Sequence, residues 1–143
     1  ETIMGKVQIL AVLTMDGCLS SELYDKAHQD LCLDRCGLDE IREKALYHVT
    51  PDYSISMLHE WRKDGTNIRY LAEATSDTAD YINGLLRMHA VDEIILYTVP
   101  FISGSGRHFF KSALPEQHWT LSSLKSYPNG VCRIIYILDK KAR

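Results

Sequence analysis

Residues 91–110, VDEIILYTVPFISGSGRHFF, constrain the fold of this chain more than any other stretch. Ile94, Ile95, Leu96 and Val99 supply the β-branched and apolar bulk of a buried strand, and Pro100 ends it because proline cannot donate to a ladder. Gly104 and Gly106 then permit backbone angles that side chains forbid, so a tight loop follows. Phe109 and Phe110 return the chain to a core. The order is strand, stop, loop and anchor.

The rest of the chain alternates extended and helical signals, which predicts an α/β sheet with crossover helices. Residues 7–14 are apolar at nearly every position, as in a strand covered on both faces. Residues 22–46 carry Leu23, Ala27 and Leu31, then Leu38, Ile41 and Ala45, at helical spacing, with Gly37 as a break. A short strand follows at 45–50, punctuated by Pro51 and Asp52. Ser54 or Ser56 then caps a helix carrying Met57, Leu58 and Trp61, which the Asp64, Gly65 turn ends. Residues 67–74 are the next strand, and a helix with Ile82, Leu85, Leu86 and His89 on one face leads into 91–110. That βαβ unit should cross over right-handed between parallel neighbours. Near the end, Pro128, Asn129 and Gly130 separate two strand-like runs, the pattern of a β-hairpin.

With 143 residues, 45% hydrophobic and 24% charged, the chain can bury one core, and a single domain over 1–143 is expected. The net charge of -3 and the scattered basic residues argue against a nucleic-acid partner. No apolar run approaches the roughly 20 residues of a membrane span, and no basic-then-apolar leader precedes the first strand, so a cytoplasmic protein without a membrane partner is expected. The start at Glu1 rather than Met is taken as a boundary without functional content. Cys18, Cys32, Cys36 and Cys132 form no CxxC pair, and reduced thiols are expected. His28, Cys32 and Cys36 recur at every fourth residue and would share a helix face. One helix rarely presents three ligands tetrahedrally, so no metal is expected there.

In open α/β sheets ligands collect at the carboxyl ends of strands, which directs attention to the turns after Leu13, Thr50, Ala74 and Phe101. Asp16 and Gly17 place a carboxylate beside a permissive backbone, either a catalytic acid–base group or a plain Asp-Gly turn. Thr75 and Ser76 offer hydroxyl donors, whereas Asp77 and Asp80 in the first helical turn suit the helix dipole and repel phosphate. The Gly104, Ser105, Gly106 loop lacks the third glycine of a dinucleotide fingerprint and reads as structural, with Arg107, His108 or Lys111 available to meet a phosphorylated substrate.

Asp92, Glu93, Pro100, Gly104, Gly106 and Phe110, together with Thr14, Asp16 and Gly17, resemble the reductase domain of the bifunctional riboflavin-biosynthesis deaminase/reductase, within the dihydrofolate-reductase-like superfamily. The resemblance implies a mostly parallel central sheet flanked by helices and closed by an antiparallel C-terminal hairpin. It also implies NADPH as cofactor, a phosphoribosylamino pyrimidine as small-molecule substrate, and a homodimer. On the matching positions, Asp16 would be catalytic and Glu73 would bind substrate, with Arg107 available to meet the substrate's phosphate. Ala11, Gly17, Thr50, Thr75, Ser76, Gly104 and Gly106 would shape the cofactor side.

The chain departs from that pattern twice. Ala74 and Thr75 stand where the family places a Gly-Gly pair, and the family's Gly-Arg-x-Thr phosphate contact has no counterpart between Cys18 and Trp61, as if one βα unit were lost from the middle. A truncated relative that keeps the fold and serves as a ligand-binding or dimerisation module is the alternative. Dihydrofolate reductase itself is third, with Glu22, Asp25 or Asp30 as its pterin-binding acid.

Overall fold

The computed structural model describes residues 5–20, 33–64, 67–104 and 107–139. Its centre is a six-stranded sheet in the order β2-β3-β1-β4-β6-β5. The strands are β1 (Lys6–Leu13), β2 (Tyr47–His48), β3 (Arg69–Glu73), β4 (Glu93–Thr98), β5 (Trp119–Ser126) and β6 (Cys132–Leu138). β2, β3, β1 and β4 run parallel, and β6 pairs antiparallel with both β4 and β5. This is the mostly parallel sheet with a closing hairpin that the sequence predicts.

β1 is apolar at both alternations because both of its faces are covered. Val7, Ile9, Ala11 and Leu13 point into one core with Leu58 and with Ile82, Leu85 and Leu86. These partners come from helices α2 (Ile55–Asp64) and α3 (Ala79–Arg87). Leu10 and Val12 point into a second core with Leu33, Cys36 and Leu38. Those residues belong to a 3-10 turn, Leu33–Cys36, and to helix α1, Leu38–Lys44. Gly37 separates the two at φ 84°, as its position as a helix break implies. The remainder of the helix expected over 22–46, including His28 and Cys32, lies outside the described residues.

β3 and β4 are not each other's neighbours, because β1 is inserted between them. The β3–α3–β4 crossover therefore spans one strand. His89 also departs from expectation: α3 ends at Arg87, and His89 turns outward at φ 55°, where it meets Gln117 Nε2 at 2.9 Å. Asn83 is the polar residue that α3 does bury. Its amide donates to the carbonyls of Ala79 and Phe109 and its oxygen accepts the Lys111 amide, which fastens the segment after the Gly104 loop to the helix. Trp61 is a packing residue, flanked by Tyr53, Tyr47 and Tyr70.

At the amino end of the sheet a buried ion pair ties three elements together. Asp92 accepts the Val7 amide at 2.9 Å on one oxygen and Arg62 Nη1 at 3.2 Å on the other. Arg62 Nη2 lies 3.1 Å from His59 Nδ1, and since arginine only donates, His59 carries its proton on Nε2 and gives it to the Met88 carbonyl. The side chains of Arg62 and Asp92 are only 9% and 14% exposed, so neither charge can fall back on water. Asp92→Ala is expected to destabilise the fold by about 3 kcal/mol in urea denaturation, because it strands a buried cation. Arg62→Met in the same chain should recover much of that loss, and full additivity would show the pair to be unimportant.

Candidate active site

The two edges of β1 are released at different heights. Its pairing with β3 ends at Leu10 opposite Glu73, whereas its pairing with β4 continues to Leu13 opposite Thr98. Beyond Leu10 the β3 side is open. The chain after β1 doubles back, with Leu19 bridging Leu13, and the Ser20 amide and hydroxyl both bond to the Val12 carbonyl at 3.2 Å. A cleft of about 350 Å³ results, lined by Leu10, Val12, Ser20, Arg42, Glu73, Ala74 and Thr75. Its floor is apolar, and its polar groups stand at the carboxyl ends of parallel strands, where open α/β sheets bind small molecules.

Arg42 reaches this cleft from α1 and donates to Glu73 Oε1 from Nε at 3.1 Å and from Nη2 at 2.8 Å. α1 is itself seated from below: the hydroxyls of Tyr97 and Tyr127 both donate to the Cys36 carbonyl, at 2.7 and 2.8 Å. Burial pushes the Tyr97 hydroxyl well above its ordinary range, so it stays a proton donor at any physiological pH.

At the same end of the sheet, Asp16 joins two loops. One carboxylate oxygen accepts the Thr14 hydroxyl and the Ser103 amide at 3.1 Å; the other accepts the Gly104 amide at 3.0 Å. The Thr14 hydroxyl, then the two loop amides, hold the carboxyl well below the usual carboxylate range. Asp16 is thus an acceptor and an anchor, and it has no proton to give near neutral pH. Gly17, at φ 79°, completes the turn by donating to the Thr14 carbonyl and accepting the Phe109 amide. Gly104, at φ 74°, meets it from the other loop.

The turn between β3 and α3 is closed on itself. Thr75 Oγ1 accepts the amides of Asp77 and Thr78 at 3.2 Å, and Thr78 Oγ1 accepts the Thr75 amide at 2.8 Å while donating to the Glu73 carbonyl at 2.7 Å. A dinucleotide phosphate seated on bare amides does not fit this turn. One held by hydroxyls requires the Thr75 proton to leave Thr78 Oγ1, 3.2 Å away, and both Thr75 and Ser76 are exposed at the amino end of α3 for that contact.

The residues singled out from sequence therefore fall into two groups at one end of the sheet. Glu73 and Thr75 line the cleft, with Ser76 exposed beside them. Asp16, Gly17 and Gly104 form the loop junction. Arg107 lies near that junction, where its carbonyl accepts the Leu19 amide and its side chain is exposed. Ala11 is apart, buried in the opposite core at 1% exposure. Thr50 is exposed beyond β2, where its hydroxyl accepts the Asp52 amide. Gly106 lies outside the described residues. Arg42 and Ser20 were not singled out, and nothing near either in sequence signals the contact; Arg42 meets a residue 31 positions away.

Asp16→Ala should free the Ser103 and Gly104 amides, seen as faster hydrogen exchange at those two positions while the β1 amides stay protected. The folded carboxyl lies below its ordinary 3.8, so its contribution is fully present above that pH and is lost as pH falls beneath it. In the wild type the two amides should lose protection only in that acid range.

No protein-family model matches the chain, and no curated protein sequence matches it. Solved structures do. A structure described as a riboflavin biosynthesis protein from Shewanella sp. PV-4 superposes with a TM-score of 0.62 at 12% identity, covering 94% of this chain and 99% of that one. RibD of Acinetobacter baumannii gives 0.50 at 12% identity over 95% of this chain, which spans 58% of that protein. Identity this low shows shared architecture, and the sheet order with its closing hairpin agrees with it. The chain has the dihydrofolate-reductase-like fold of the riboflavin-biosynthesis reductases.

Proposed function

We propose that this chain is a reductase of the riboflavin-biosynthesis kind, which takes a phosphoribosylamino pyrimidine in the cleft between β1 and β3 and uses NADPH as the hydride source. The observation that carries this reading is the cleft itself: an apolar floor with a carboxylate, a guanidinium and two hydroxyl residues, opened where β3 leaves β1. A flat heterocycle fits such a floor, and Glu73 offers an acceptor for its ring N–H or amino groups. The fold shared with the Shewanella protein supports the same reading.

In this proposal the cofactor, when bound, supplies the hydride. Thr75 and Ser76 would hold its phosphates through their hydroxyls at the amino end of α3, since the amides of Asp77 and Thr78 are already taken. Asp16 keeps the loop over Ser103 and Gly104 fixed at the same end of the sheet, and Arg107, exposed near that junction, would meet a substrate phosphate. A homodimer belongs to the proposal as well, and the edge strand β5, with Leu121 and Leu124 exposed, is the surface it would use.

The self-closed turn at Thr75 favours a second reading, in which the fold and the cleft remain and hydride transfer is lost. One titration separates the two. NADPH followed through protein fluorescence should give saturable binding below the millimolar range, and Thr75→Val should weaken it about tenfold by removing a hydroxyl donor to a charged group. No saturation at millimolar NADPH, with affinity gained on changing Ala74 and Thr75 to Gly, would establish the second reading instead.

A further inference from the structure

Arginine and carboxylate commonly meet fork to fork, one N–H on each oxygen. The pair in the cleft does not. Nε and Nη2 of Arg42 both donate to Oε1 of Glu73, and Oε2 receives no hydrogen bond from any described residue. Glu73 is otherwise fixed by its backbone, since its carbonyl accepts the Thr78 hydroxyl and the next amide, that of Ala74, donates to Leu10. The side chain alone keeps freedom of rotation, and Arg42 removes it.

We infer that Arg42 is a positioning residue, which locks Glu73 through one oxygen so that the other is presented to the ligand as a directed acceptor. The inference rests on the cleft being the substrate site. A lone, oriented carboxylate oxygen selects a neutral nitrogen heterocycle that donates from a ring N–H or an adjacent amino group, and it rejects the same ring when those donors are methylated. Arg42 spends two of its donors on Glu73, and in that role it orients an acceptor.

The orienting machinery extends further back. Arg42 lies in a helix of 7 residues that starts after the left-handed Gly37, and the carbonyl just before that glycine is held by Tyr97 and Tyr127. A displaced α1 would release Glu73. The position of one carboxylate oxygen in the cleft is therefore set from the closing hairpin, through Tyr127, as well as from β3.

The test is a chemical-shift titration with 6-aminouracil, which carries ring N–H and amino donors, and with 1,3-dimethyluracil, which carries neither. Wild-type protein should bind the first and not the second, with shifts at Leu10, Val12 and Ala74. Glu73→Gln and Arg42→Ala should each weaken 6-aminouracil about tenfold, with Arg42→Lys in between. Arg42→Ala should add nothing once Glu73→Gln is present, because it acts only through that carboxylate. Thermal unfolding of Arg42→Lys guards against a folding defect. Equal binding by Arg42→Ala and wild type, or independent losses from the two substitutions, overturns the inference and leaves the cleft intact. Failure of the wild-type protein to bind 6-aminouracil overturns the cleft as substrate site, and the inference with it.

Discussion

The architecture depends on one constraint: β1 must be covered on both faces and along both edges. A strand with Val7, Ile9 and Ala11 on one side and Leu10 and Val12 on the other cannot face water at all. It therefore takes the middle of the parallel set, between β3 and β4, and needs a helical layer above and below. The functional geometry follows from the way this coverage ends. β3 departs at Leu10 and β4 stays to Leu13, so one side of the strand loses its neighbour three residues before the other. Ser20 bonds back to the Val12 carbonyl, and the space left between that return and the β3 exit is the cleft.

How much of this was legible in the sequence depends on the range of the contact concerned. The strand at Glu93–Thr98, its proline stop, the break at Gly37 and the hairpin around Asn129 and Gly130 are local, and periodicity or turn chemistry exposes them. Their order identifies the fold. The insertion of β1 between β3 and β4 was not visible, because the βαβ pattern specifies a crossover without saying how many strands it spans. Ala11 shows the limit at single-residue level: alternation along a strand decides its face, and the odd residues of β1 face the helices α2 and α3 rather than the cleft.

The candidate site divides in the same way. Asp16 and Gly104 were each noted for their local turn chemistry, yet their direct contact, 88 residues apart, is a tertiary fact. Asp-Gly could have been an isolated turn. Instead its carboxylate is the fastener between the two loops that follow β1 and β4, and that duty explains its depressed proton affinity without any catalytic step. Arg42 is the opposite case. An arginine in the last turn of a short helix suits the dipole and the nearby Asp39, which it does meet at 3.8 Å, so its sequence context gives a self-sufficient but incomplete account of what its guanidinium does.

For the proposed NADPH contact the turn around Thr75 is decisive, and rough magnitudes show which side is favoured. Turning the Thr75 hydroxyl proton away from Thr78 Oγ1 costs about 1 kcal/mol, as for an ordinary hydrogen bond. Hydrogen bonds to a charged phosphate return roughly 1.5–3 kcal/mol each, so a single good contact outweighs that loss. Asp77 and Asp80 oppose it, but both are exposed, and surface charges near a helix terminus are worth about 0.3–1 kcal/mol apiece and are screened by salt. On this balance the proposed phosphate contact would be weakened, salt-dependent and still favourable. Ala74 and Thr75, standing where the resemblance places glycines, thus leave the turn self-sufficient, and in the proposed reading the Thr75 hydroxyl that closes the turn is the group a phosphate would recruit.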